Sequence, residues 1–175
     1  MEHFEVAYAL SHLTMLVDTR EQPTKRAEKR IEAVGFPFER TTLSFGDYSA
    51  KIAFSDGSTL SLDKVVAIER KMNLDEICTC FTHERKRFTA EFERAKDVGA
   101  KMYLLIENAD MEKALSGKYR SKMNPSALVA SLFAWMARYD CKLIMCKEET
   151  SGRMIREILL RETKEYLERM EDNAE

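Results

Sequence analysis

Hydrophobic and polar positions along the chain lay out an alternation of strands and helices. Thr14-Met15-Leu16-Val17-Asp18 has the apolar run of a buried strand and leads into Thr19-Arg20-Glu21-Gln22-Pro23, where proline stops it. Residues 1–13 read as a short N-terminal leader, and neither His3 nor His12 carries a legible role. Thr24 is placed to cap a charged helix over Lys25 to Val34, with Gly35 as its stop, and Phe36 to Phe45 alternates as a strand would. Gly46-Asp47 marks a turn. Tyr48 to Phe54 and Thr59 to Ile68 are predicted to pair as a hairpin across Asp56-Gly57, and the second arm runs on through Val65-Val66-Ala67-Ile68 into Glu69-Arg70-Lys71.

Beyond this point the spacing predicts a helix over about residues 83 to 98, a strand at Met102 to Ile106, a helix from Pro125 to Tyr139, a strand at Lys142 to Cys146 and a closing helix from Gly152 to Met170. The Pro125 helix is apolar nearly all round, which predicts burial on more than one side, whereas the last helix carries one inward stripe. No repeat, low-complexity tract or linker interrupts the order. At 175 residues with 45% hydrophobic content, this is one α/β domain over residues 14–170, with a few residues trailing it.

Composition narrows the class. Lys and Arg number 28 against 30 Asp and Glu, so no overall basic field exists to hold a polyanion, and any nucleic-acid contact must come from local patches. No run approaches the roughly 20 apolar residues of a membrane span. The opening residues lack the pattern of a secretory signal, and the four cysteines lie in apolar or helical stretches, which suggests a reducing, cytoplasmic setting and buried free thiols. Cys78-x-Cys80 with His83, and Cys141-x4-Cys146, have poor spacing for structural zinc.

The chemistry concentrates at a strand end. Side chains alternate along a strand, so Glu69 and Lys71 share one face while Arg70 points the other way. A twisted sheet can bring Asp47 beside Glu69, and two converging carboxylates suit a hard cation such as Mg2+ or Mn2+. An ammonium two residues beyond orients water or neutralises charge on a phosphate. The same residues also suit an ordinary surface ion pair. Two basic stretches accompany them. His83-Glu84-Arg85-Lys86-Arg87-Phe88 opens a helix on which Arg85 lies at a narrow angle from Phe92, so it should meet the acidic site or a DNA phosphate unless this is a basic, solvated first turn; Lys118-Tyr119-Arg120-Ser121-Lys122 combines cations with a ring able to stack on a base, and equally suits a solvated loop.

Gly46-Asp47, twenty-one further residues, then Glu69-Arg70-Lys71 and Asp75 resemble the GD and ERK-x-x-x-D signature of the XPF family of structure-specific endonucleases. Val17-Asp18-Thr19-Arg20-Glu21 matches that family's V-D-x-R-E strand end, and the resemblance covers roughly residues 14 to 146. It implies the PD-(D/E)xK restriction-endonuclease-like fold, a central mixed β-sheet flanked by helices. It implies Asp47 and Glu69 as metal ligands and Lys71 as the charge-stabilising group. Asp18 and Glu21 would lie at the same site, with Asp18 on the metal or on a second ion. Arg20 and Arg70 would contact phosphate or orient carboxylates, and Asp75 would cap the next helix or orient Lys71. The family's Arg-Phe pair falls on Arg87-Phe88, which leaves open whether Arg87 or Arg85 faces the site.

The resemblance thus implies a metal-dependent endonuclease acting on branched, flapped or forked DNA. The alternatives are a non-catalytic DNA-binding module or scaffold for a partner, and an α/β interaction protein, which the pI of about 6.0 favours. The chain shows neither the helix-hairpin-helix module nor the helicase domain of larger members and resembles short forms from bacteria and their phages. An accessory protein, or a homodimer through the late helices, would then supply missing affinity. The motif does not choose among repair, recombination, replication restart and phage genome processing.

Overall fold

The computed structural model describes residues 3–172, so Met1 and Glu2 of the expected leader and the last three residues of the tail lie outside the described residues. Seven strands form one mixed sheet: β1 (Thr14–Asp18), β2 (Phe38–Thr41), β3 (Tyr48–Ala53), β4 (Thr59–Ser61), β5 (Val66–Lys71), β6 (Lys101–Glu107) and β7 (Lys142–Cys146). Their order is β2-β1-β3-β5-β6-β7, with β4 paired to β3. β3 runs antiparallel to β1 and β5, while β1–β2, β5–β6 and β6–β7 are parallel. The ends of β1, β5 and β6 and the start of β3 therefore meet at one edge.

Helices cover both faces. α1 (His3–Ser11), α2 (Lys25–Val34) and α7 (Glu148–Asp172) pack on one; α3 (Leu74–Phe81), α4 (Arg85–Asp97), α5 (Met111–Ser116) and α6 (Pro125–Tyr139) lie on the other. The period-two pattern of β5 and β6 sorts side chains between two cores. Ala67, Met102, Leu104 and Ile106 join Phe81, Phe88, Phe92 and Trp135 under α3, α4 and α6; Val66, Ile68 and Leu105 join Val17, Tyr48 and Ile158 under α2 and α7. The same parity sends Glu69 and Lys71 toward α4, and Arg70 and Glu107 toward α2.

Several expectations change. The leader forms α1, and Val6, Ala9 and Leu13 bury themselves in the core. The strand expected over Phe36 to Phe45 is shortened to β2, because residues 42–47 curl back and the Leu43 N–H donates to Asp18 Oδ2 at 2.7 Å. The second hairpin arm breaks at Asp63-Lys64, where the Leu62 carbonyl accepts from both Val65 and Val66 N–H, so β4 and β5 are separate strands on β3. α5 was not expected, although Asp110 caps it and Gly117 ends it in the left-handed region. α6 buries one stripe, Leu128, Leu132, Trp135 and Tyr139, and leaves Phe133 55% exposed, so it is not buried on several sides. α7 starts at Glu148; Gly152 lies inside it, where an added Cβ would sit 2.7 Å from both Ala33 Cβ and the Arg30 carbonyl, and its absence lets α7 close on α2. Among the described residues the four cysteines are free, three buried and Cys146 half-buried.

Candidate active site

At the edge where strand ends meet, Asp47, Glu69, Lys71 and Glu91 line a cleft of about 250 Å3 with Arg20, Arg87 and Arg94 around them. Backbone bonds set this arrangement. Asp47 N–H donates to the Ile68 carbonyl at 2.8 Å, Asp18 N–H donates to the Asp47 carbonyl at 2.8 Å, and Arg70 N–H donates to Asp47 Oδ2 at 2.8 Å. The turn before Asp47 requires glycine: Gly46 has φ +73°, and a Cβ there would lie 2.8 Å from Ala67 Cβ. Its N–H donates to Glu91 Oε1 at 2.9 Å.

Glu69 is 4% exposed and accepts from Lys71 Nζ at 2.5 Å; the ammonium also lies 5.4 Å from the centre of the Phe88 ring. Burial pushes the Asp47 carboxyl up to about 6, opposed by Lys71 and the Arg70 N–H. Burial, and then the charge of Asp47, push Glu69 well above the usual carboxylate range. Burial alone would lower Lys71, but Glu69 and the surrounding anions outweigh it and raise the amine, so it stays an ammonium. Two carboxylates that repel each other beside a fixed cation form a charge set that a further cation relieves. Among the described residues no three His, Cys, Asp or Glu side chains converge to hold a metal by themselves. Asp47 and Glu69 are carboxylate oxygen donors of the type that a hard cation takes together with water.

Of the other expected residues, Arg20 and Arg70 orient carboxylates as expected and Arg87 lines the cleft, while Glu21 and Arg85 lie away from it. Both Asp18 oxygens are occupied: Oδ1 by Arg20 N–H and Nε at 2.8 and 2.6 Å, Oδ2 by Leu43 N–H and Arg20 Nη2 at 2.7 and 3.2 Å. Asp18 therefore fastens the 19–43 loop where a metal ligand was expected. Arg20 orients that carboxylate, yet its side chain is 59% exposed and reaches to 3.9 Å from Glu91. Glu21 lies on the α2 side, accepting from Arg30 Nη1 at 3.1 Å and from the Tyr48 hydroxyl at 3.0 Å. Arg70 also points there, 3.4 Å from Glu21 and 3.2 Å from Glu107, so its side chain serves carboxylates and its backbone serves Asp47. Of the two candidate arginines, Arg87 lines the cleft, paired at 2.6 Å with Glu84, while Arg85 lies over the Trp135 ring at 5.8 Å and away from the acids.

Asp75 neither caps α3, which Asn73 does, nor lines the cleft. Its Oδ1 accepts from Arg120 and Ser121 N–H, both at 2.7 Å, and so ties the basic loop to α3, the helix that follows β5. Tyr119 packs on the core and donates to the Met123 carbonyl, so its ring is not free to stack on a base. Bonds to a charged acceptor contribute about 1.5–3 kcal/mol each. Asp75→Ala is therefore expected to speed trypsin cleavage after Lys118, Arg120 and Lys122 roughly tenfold or more. Equal digestion rates would show that the loop is held by its other contacts.

Sequence reasoning missed Glu91, Arg30 and Glu107. Glu91 follows Arg87-Phe88 by one helical turn, the only signal that it shares their face of α4.

Comparison with protein families matches the ERCC4 domain over residues 17–158. The chain belongs to the ERCC4-domain family. This ERCC4 domain is similar to the structure of XPF from Aeropyrum pernix, with a TM-score of 0.59, 19% identity, and coverage of 85% of this chain and 60% of that chain. It is also similar to XPF from Aeropyrum pernix in complex with DNA, with a TM-score of 0.62, 17% identity, and coverage of 86% of this chain and 65% of that one. The domain thus spans less than two thirds of the length of either solved chain. Comparison with curated proteins gives no match. The likeness establishes the restriction-endonuclease-like fold expected for the mixed sheet. Among the described residues, no helix of the ERCC4 domain is long and apolar enough to cross a membrane.

Proposed function

We propose that this ERCC4 domain is a divalent-metal-dependent endonuclease that hydrolyses phosphodiester bonds in DNA, with branched, flapped or forked duplexes as its substrates. The observation that carries the reading is the convergence of Asp47, Glu69 and the Lys71 ammonium in one cleft ringed by Arg20, Arg87 and Arg94. The likeness to an XPF captured with DNA supports the choice of polymer.

Asp47 and Glu69 would hold Mg2+ or Mn2+, which when bound supplies Lewis acidity and a more acidic water. Arg70 N–H fixes Asp47, and Lys71 fixes Glu69. The Lys71 ammonium would act as an electrostatic group toward the phosphate or the attacking water. The Arg20 guanidinium, 59% exposed and lining that cleft, would contact a phosphate oxygen.

The test is cutting of labelled flap, fork, four-way junction and linear duplex DNA with magnesium, manganese or EDTA, beside Asp47→Asn and Lys71→Met. Metal-dependent cutting that falls at least about a hundredfold in both variants is expected. Binding without cutting under any condition would favour the scaffold reading. Neither binding nor cutting would remove nucleic acid from consideration.

A further inference from the structure

On the α2 side of the same edge, a second cleft of about 350 Å3 adjoins the first. Arg20 lines both. Arg26, Arg30 and Arg70 complete the cationic part of the second cleft, over Glu21 and Glu107. The two acids are buried and paired: Glu107 accepts from Arg30 Nε and Nη2 at 2.7 and 3.1 Å and from Arg70 Nη1 at 3.2 Å, and Glu21 accepts through Oε1 from Arg30 and the Tyr48 hydroxyl. The charged side chains that face solvent are cationic, since Arg20 and Arg26 are 59% and 62% exposed. Arg26 has one acidic partner, Glu148 at 3.3 Å, and an exposed pair of that kind yields readily to a phosphate. Thr24, which caps α2, lines the cleft too, so the positive end of the helix dipole lies at its wall. Among the described residues its lining holds no aromatic ring to stack a base.

We propose that this arginine cleft is a second phosphodiester-backbone subsite: the DNA strand passes from the Asp47–Glu69 cleft across Arg20 and lays its neighbouring phosphates against Arg26 at the start of α2. The inference rests on the nuclease reading and adds the direction in which the strand leaves the site. Recognition there is by charge and guanidinium geometry and is blind to base sequence. A chain of net charge −2 needs such a local track, because its overall field repels the polymer.

The experiment measures the affinity of labelled branched DNA for the cleavage-deficient Asp47→Asn protein over a range of salt concentrations, with and without Arg26→Ala or Arg26→Glu. Lys164→Glu, a charge reversal at the exposed Lys164–Glu168 pair of α7, serves as control. Arg26→Ala is expected to weaken binding about 3- to 10-fold and to lower the slope of log K against log salt by about 1, and Arg26→Glu to do more. In the cutting-competent protein the Arg26 variants raise KM and leave kcat at saturating DNA within about twofold. Unchanged affinity and slope, or an equal loss from Lys164→Glu, would overturn the subsite while DNA cutting by the unmodified protein still stands. Absence of both binding and cutting by the unmodified protein would overturn the nuclease reading and this one with it.

Discussion

Replacing Arg30 with alanine is expected to cost about 3–5 kcal/mol of folding stability. Arg30 is buried, and its guanidinium holds Glu107 through two bonds while also reaching Glu21 and the Tyr48 hydroxyl. Removal leaves two buried carboxylates short of donors, and the stranded charge accounts for most of the loss. Against a typical total of about 5–15 kcal/mol, the variant would be only marginally folded. Urea and thermal melts check it, with Arg26→Ala on the exposed side of the same helix as the contrast, expected within about 0.5 kcal/mol of the parent. A loss below about 1 kcal/mol for Arg30→Ala would mean that water reaches the network and replaces the guanidinium.

Asp47→Asn is expected to abolish cutting and, in EDTA, to stabilise the fold. In the folded protein the carboxyl is pushed up from its ordinary value to about 6, because burial disfavours its charge more than Lys71 and the Arg70 N–H favour it. A carboxyl raised in this way contributes stability that is fully present below about 4 and is lost as pH rises through about 6. The advantage of the asparagine variant should therefore be near zero at pH 4, grow through the interval and level off above pH 6.5. Its plateau should be about 1–2 kcal/mol, less than the full shift implies because Asp47 is only half-buried. With magnesium the order reverses, since the unmodified protein gains binding energy that the variant lacks. Parallel stability curves for the two proteins in EDTA across pH 4 to 8 would contradict the account.

Much of this site could be read from local rules. The parity of Ile68-Glu69-Arg70-Lys71 correctly separated Glu69 and Lys71 from Arg70, because a strand's alternation is set by its own backbone. The Thr24 cap, the Gly35 stop and the Asn124-Pro125 helix start were equally local. What escaped depends on chain far away. Arg30 and Glu107 meet across 77 positions, and Glu91 reaches Gly46 across 45, with no periodicity to announce either contact. Asp18 and Glu21 share a motif, but the curl of residues 42–47 delivers Leu43 to one, and the tilt of α2 delivers Arg30 to the other. The hairpin arm was misread because its apolar run hides the turn at Asp63, which the Leu62 carbonyl makes.

Arg70 occupies both faces of the sheet at once: its N–H steadies Asp47 while its guanidinium is anchored between Glu21 and Glu107. A genetic screen for loss of cutting would for this reason return alleles at Glu21, Arg30 and Glu107 alongside those at Asp47 and Glu69. Their products would keep every side chain of the Asp47–Glu69 cleft and still fail, most visibly at elevated temperature. Mapping inactivating alleles onto this fold would outline a footprint wider than the Asp47–Glu69 cleft, extending through the sheet to the buried ion-pair network under α2.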